Sequence, residues 1–414
     1  MRRRDRRYDG LMRTVFEGVR LIDGVSADAR DGVDVVVDDD RIAAVEPSGT
    51  VVLSATPSPE SPTVIDGRGR TLLPGLIDAH AHYTFDPTEG SIAAIARRSD
   101  AEIVLAAAGH AARALRAGVT TARGAGSIRD LELVLRDAIA AGHVPGPRLV
   151  AAGSAIGITG GHGHQFGIEA DGEQELRQAV RRIARHGADV IKIVASEAAM
   201  LTTTGLAPGR IVHGDAELTE AEVAAIVAEA RRLHLRVMSH AQGPESVIAS
   251  ARGGVDSVEH AWLADRAAIE ALAASGAFLV PTLVVTDVNR DLPGLTTVQR
   301  RRQDLIEERH RLSCETAIRL GVPIATGTDT GEVGVTADMV WREIKLLWDH
   351  GASPMAAIQA ATSAAAGLLG LDGELGSVVP GKLADLVLVD GDPLVDLRRL
   401  AAPLLVMQAG HIAA

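Results

Sequence analysis

Two histidines close a short apolar run in Pro74-Gly75-Leu76-Ile77-Asp78-Ala79-His80-Ala81-His82. On an extended strand the period of two sends both imidazoles to the same side, where two neutral nitrogens can converge on one divalent metal. His-x-His is a short string that polar loops also contain, so metal chemistry requires further ligands placed the same way at other strand ends. His240 closes Leu235-Arg236-Val237-Met238-Ser239, and His260 repeats the arrangement in Ser257-Val258-Glu259-His260. Asp329 follows Gly327-Thr328. Lys192 interrupts Val190-Ile191-Lys192-Ile193-Val194, an apolar run whose burial would strip an ammonium of its water. Beside metals a lowered pKa would expose a nucleophilic amine able to take up carbon dioxide, and the carbamate's two oxygens could bridge two cations. Each residue has a plainer alternative: snorkelling for Lys192, a core or capping role for His240, a turn for Asp329. Repetition at strand ends is what favours a site.

Such a set needs a scaffold that brings many strand ends to one face. Between residues 74 and 327 the sequence alternates short apolar runs with helical stretches, giving strand candidates at 74–79, 119–122, 148–152, 189–194, 235–239, 257–259, 277–282 and 322–327. The clearest helix spans 219–233, where Thr219 can cap, Glu222 completes a capping box, and Val223, Ile226, Val227 and Ala230 recur on one face. A long polar helix is predicted over 297–320, and another from Ser353-Pro354 to about Leu369. The rhythm predicts an α/β fold with a closed TIM-like (β/α)8 barrel; an open doubly wound sheet is the alternative and would put function at one switch point. Strand-like runs between Thr14 and Ile65 are matched by runs at 376–379, 384–389 and 404–407. The two chain ends, 1–73 and 371–414, are therefore predicted to build one small β-sandwich domain beside a barrel of residues 74–370.

The chain has 414 residues, Lys+Arg 42 against Asp+Glu 54, a formal charge of -12 and one cysteine. Cys314 can form no intrachain disulfide and lies in a predicted helix, where a buried spectator is expected. The acidic balance speaks against a duplex-binding surface. The one basic block, Arg2-Arg3-Arg4 with Arg6-Arg7, reads as a solvated tail, and no apolar segment of signal-peptide type follows it. Met12 is a second candidate start. No apolar stretch reaches the roughly 18 residues of a membrane span. The expectation is a cytoplasmic protein with a small-molecule substrate and neither nucleic acid nor membrane as partner.

These motifs, together with Gly381-Lys382-Leu383-Ala384-Asp385-Leu386-Val387, resemble the metal-dependent amidohydrolase superfamily across nearly the whole chain. Gly118-Val119-Thr120-Thr121, Gly160-Gly161-His162-Gly163-His164, Ser239-His240-Ala241-Gln242-Gly243 and Pro281-Thr282-Leu283 resemble its branch of imidazolonepropionase-like proteins, Xaa-Pro dipeptidases and related carboxypeptidases. The resemblance implies a hydrolase of a C–N amide bond and a homo-oligomer. It also implies two zinc ions, one held by His80, His82 and Asp329, the other by His240 and His260, with carboxylated Lys192 shared between them. A bridging hydroxide would attack a carbonyl polarised on the His260 side, and Asp329 would carry its proton to the leaving nitrogen.

His162 and His164 lie in a glycine-rich loop after the third strand candidate; they are expected on the substrate side, His162 nearest the scissile group, a turn role being the alternative. In the insertion from Met200 to Gly214, Arg210 and His213 are candidate substrate contacts, Arg210 for the carboxylate of a dipeptide or N-acyl amino acid, against a plain surface arginine. Two departures weaken dipeptide cleavage. Ala122-Arg123-Gly124 stands where dipeptidase-type relatives carry Arg-Asp, so an acidic group is missing, and His213-Gly214-Asp215-Ala216-Glu217 lacks an aromatic residue. A lactam, carbamate, lactone or organophosphate substrate is the alternative. A non-enzymatic metal-binding scaffold is the competing class, against which the six ligand-type residues speak.

Overall fold

The computed structural model describes residues 12–50, 62–88, 92–198 and 214–414. Its centre is a ring of parallel strands. Leu76–Ala81, Val119–Gly124 and Arg148–Val150 pair in sequence order, and Val190–Val194, Arg236–Ala241, Ser257–His260 and Phe278–Val280 do the same. The two arcs meet where Asp189 N donates to Ala151 O at 2.8 Å. On the other side the eighth segment forms no regular ladder. It is stitched in by Ala325 N to Leu279 O at 3.1 Å, Ala79 N to Thr326 O at 2.8 Å and Asp329 N to His80 O at 2.8 Å. Gly327 allows that approach, since a Cβ there would lie 2.6 Å from the Cβ of His80. The ring closes, so first and eighth strand positions are neighbours, and this is the predicted barrel.

Local sequence explains the layers around it. Val190–Val194 is buried at all five positions, as a parallel strand covered on both faces must be. In Gly172–His186 the buried residues Leu176, Ala179, Val180 and Ile183 form one stripe, and the helix stops at Gly187 in the left-handed region. The predicted capping box forms: Thr219 Oγ1 accepts from Glu222 N at 3.3 Å and Glu222 Oε2 accepts from Thr219 N at 2.9 Å. Thr219→Ala is expected to lower stability by about 1 kcal/mol. An unchanged denaturant midpoint would show that the cap contributes nothing.

Strands from both chain ends share one eight-stranded sheet. Leu386–Asp390 lies between Arg70–Pro74 and Leu405–Gln408, and Arg13–Leu21 joins Arg70–Pro74 to the Arg30–Asp38 and Arg41–Pro47 hairpin. Phe16, Val35, Leu72, Leu386 and Met407 form its core, so neither end buries its apolar face alone.

Two elements differ from expectation. Residues 376–379 form no strand: Gly376 has φ +82°, and Val378 N makes a single bond to Asp23 O. The helix from Pro354 stops at Ala360, and Ser363–Leu369 is a separate helix, because Thr362 between them is non-helical. Cys314 is buried, and burial pushes its thiol pKa up. Among the described residues no helix is long and apolar enough to cross a membrane.

Candidate metal centre

His80, His260 and Asp329 come together at the C-terminal ends of the first and sixth strands and the eighth segment. One potential ligand atom from each lies within 4.8 Å of the others, and all three are buried. Asp329 Oδ1 is 3.3 Å from His80 Nε2 and 3.4 Å from His82 Nε2, while Oδ2 is 3.8 Å from His260 Nδ1. Burial pushes the Asp329 carboxyl up, but His80, His82 and Lys192 outweigh it and hold its pKa at about 2. Burial takes His82 down to about 3 and also drives His240 and His260 down, so these rings are neutral donors of a lone pair.

The three histidines around Asp329 are each held by a partner. His80 Nδ1 donates to Glu259 Oε2 at 2.7 Å, His82 Nδ1 to the carbonyl of Gly126 at 2.9 Å, and His260 Nδ1 lies 2.9 Å from Thr282 Oγ1. Asp78 binds Thr328 N at 2.9 Å and Thr328 Oγ1 at 2.6 Å, tying the first strand to the segment that carries Asp329. His260, Ala261 and Asp329 all hold φ between +50° and +73°, a costly conformation for residues with a Cβ. Two of the three ligands, His260 and Asp329, are thus held in strained backbone. The donor set suits a divalent ion of the zinc type: imidazole and carboxylate, buried, with the Nε2 atoms of His80 and His240 lacking hydrogen-bond partners.

The expectation of two zinc ions bridged by a carboxylated lysine is corrected. Among the described residues there is one such ligand group, that of His80, His260 and Asp329. A second site needed His240 and His260 to share a bridge at Lys192. His260 Nδ1, bonded to Thr282, lies 3.8 Å from the Asp329 carboxylate that His80 also approaches, and the His240 ring packs against His260 and His162 at 4.6 and 4.8 Å between centroids. Lys192 is buried at the edge of the centre, and its Nζ has no hydrogen-bond partner. Burial pulls its pKa down to about 8, against the neighbouring Glu259 and Asp329 carboxylates.

His162 reaches the centre. Its backbone N donates to Glu217 at 2.9 and 3.1 Å, and burial takes its pKa down to about 4. His164 is spent locally, its Nδ1 2.9 Å from Gly161 O. Arg210 and His213 lie outside the described residues.

Two charged residues that hold this geometry are absent from the sequence-derived site. Arg123 is 1% exposed; its Nε donates to Ala79 O at 2.7 Å and its Nη2 to Glu259 Oε1 at 3.0 Å. Glu259 also accepts from Ser257 Oγ. Burial pushes the Glu259 carboxyl up, but Arg123 and His80 outweigh it and hold it at about 2. Arg123 and Glu259 carry a weaker form of the signal that singled out Lys192, since their strand neighbours are mostly Thr, Gly, Ser and His.

The Amidohydrolase family model matches residues 71–413. An ochratoxinase of Aspergillus niger is 30% identical over 370 residues, which cover 80% of this chain and 72% of the relative. An imidazolonepropionase of Rubrobacter xylanophilus is 29% identical over 392 residues, covering 86% and 84%. Among solved structures, a Xaa-Pro dipeptidase with methionine bound in its active site superposes with a TM-score of 0.84 at 29% identity, covering 97% of this chain and 99% of the other.

Proposed function

The chain belongs to the amidohydrolase family and is a metal-dependent hydrolase of an amide C–N bond, and we propose that it works with a single zinc ion held by His80, His260 and Asp329 on an N-acyl amino acid or dipeptide. The observation that carries this reading is the buried His80–His260–Asp329 group at the C-terminal mouth of the barrel, where such folds place their chemistry. A bound divalent ion supplies Lewis acidity, which makes water nucleophilic near neutral pH and polarises a carbonyl.

The chain's own residues do the rest. Asp329, held ionised among three histidines, takes the proton from the attacking water and passes it to the leaving nitrogen. Glu259 and Gly126 keep the Nε2 atoms of His80 and His82 directed at the centre. His162, neutral beside His240, offers a hydrogen bond to the scissile group or to the developing oxyanion. Amino-acid substrates are supported by the similarity to the dipeptidase with bound methionine. Arg210 is proposed as the partner of the substrate carboxylate. The family resemblance also supports a homo-oligomer, which light scattering on the purified protein reads directly.

Chelation is expected to abolish turnover, and one equivalent of zinc per chain to restore it, with elemental analysis of the active protein giving one ion. Full activity appearing only at two equivalents would overturn the single-ion reading. The substrate class is tested with dipeptides, N-acyl amino acids, cyclic amides and lactones, each with and without zinc. Turnover confined to lactones or cyclic amides would remove the amino-acid reading and leave the metal centre standing.

A further inference from the structure

We propose that Glu132 is a positioning residue of the metal centre, its carboxylate standing in the space that a side chain at position 124 would occupy and fixing the backbone that holds His82. The inference rests on the metal-centre reading and adds a residue that no motif pointed to.

Position 124 ends the second barrel strand, where the sequence lacks an acidic side chain. The structure supplies one from the following helix. Glu132 lies in the first turn of Leu131–Ala140 and is 2% exposed. A Cβ built on Gly124 would lie 2.8 Å from Glu132 Cδ, closer than Cβ atoms tolerate, so a side chain at 124 and the present place of Glu132 exclude each other. The glycine is therefore matched to the glutamate.

The side chain is anchored to backbone. Gly153 N donates to Glu132 Oε1 at 2.6 Å, and burial pushes the Glu132 carboxyl pKa up to about 8. The same turn is laced by Ser127 N to Gly153 O at 2.7 Å and by Glu132 N to Ser127 Oγ at 3.1 Å. Glu132 thus ties the start of its helix to the segment after the third strand, and Ser127 links that segment to the one after the second strand. The carbonyl of Gly126 accepts from His82 Nδ1, and the neighbouring Ala125 N donates to Ala81 O at 2.9 Å. Through Gly153 and Ser127 this linkage reaches the chain beside Gly126 and so supports the orientation of His82.

A second observation is independent of these bonds. Arg129 and Asp130, immediately before the helix, both adopt left-handed backbone, with φ +52° and +55°. Two consecutive non-glycine residues in that region are costly and persist only when the surroundings enforce them. Here they turn the chain so that the first helical turn delivers Glu132 inward.

The test compares wild type, Glu132→Ala, Gly124→Asp and the double variant Gly124→Asp/Glu132→Ala. Zinc affinity is read by competition with a chromophoric chelator, and folding by thermal melting. Glu132→Ala is expected to weaken zinc, by less than the roughly 10- to 100-fold of losing a direct partner of a ligand, because Glu132 acts through backbone. Gly124→Asp alone crowds two carboxylates and should weaken it too, while the double variant, with one carboxylate restored to the same space, should recover most of the affinity. If Glu132→Ala does not fold, Glu132→Leu, which keeps most of the volume but cannot accept from Gly153 N, is expected to bind zinc more weakly. Wild-type zinc affinity in Glu132→Ala or Glu132→Leu, or a double variant no better than Glu132→Ala, would overturn the assignment. A wild-type protein that binds no zinc would instead bring down the metal-centre reading itself.

Discussion

Asp329→Asn is expected to lower kcat/KM by at least about 10²–10⁴-fold, the range for a positioned general base, while the protein still folds. Asparagine keeps the shape of the side chain and one carbonyl oxygen, so the bond from Asp329 N to His80 O and the left-handed turn at 329 are preserved. What disappears is an anion within 3.3 to 3.8 Å of three imidazoles. An amide cannot take a proton from water at neutral pH, and it is a poorer metal ligand than a carboxylate. Both losses act on the same residue, so zinc affinity should be measured beside turnover. Wild-type turnover in a correctly folded Asp329→Asn protein would refute the proton-transfer role.

The second large effect falls on stability and on the metal together. Glu259→Gln leaves the Arg123 guanidinium buried without its counter-charge, and breaking a buried pair on one side costs about 3–5 kcal/mol. It also removes the anionic acceptor of His80 Nδ1, and the new amide must turn its N–H₂ toward either Arg123 or His80, both of which are donors. Metal affinity should fall about 10- to 100-fold, as it does when a ligating histidine loses its outer partner. Chemical denaturation and zinc titration read the two losses separately. A stability loss below about 1 kcal/mol, the level of an exposed pair, would show that the buried pair is not held as the geometry indicates. Replacing both partners, Arg123→Met with Glu259→Gln, should recover part of the stability by removing the uncompensated charge, with no recovery of the metal affinity that depends on Glu259.

The strand-end residues were legible because a parallel barrel imposes a simple rule, that each apolar run delivers the residue at its C-terminal end to one face. His80, His240, His260 and Asp329 follow it. Arg123 and Glu259 also sit within such strands, but a single charge in a run does not reveal its partner, and they face each other only across the barrel, 136 positions apart. Glu132 was further from view. It sits in a helix, and its connection to Gly124 is a matter of occupied volume that no periodicity encodes.

By itself the sequence determined the alternation of strands and helices, the strand-forming runs at both chain ends, and the residue types able to bind a metal, since these follow from hydrophobic period, caps and local composition. The number of metal sites was decided only by the tertiary structure. The same residues could have been divided between two ions or gathered around one, and the difference lies in a few ångströms of side-chain placement. Left-handed backbone at His260 and Asp329, the Glu259 bond to His80 and the close approach at Gly327 set that placement, and they bring His80 and His260 to a single carboxylate.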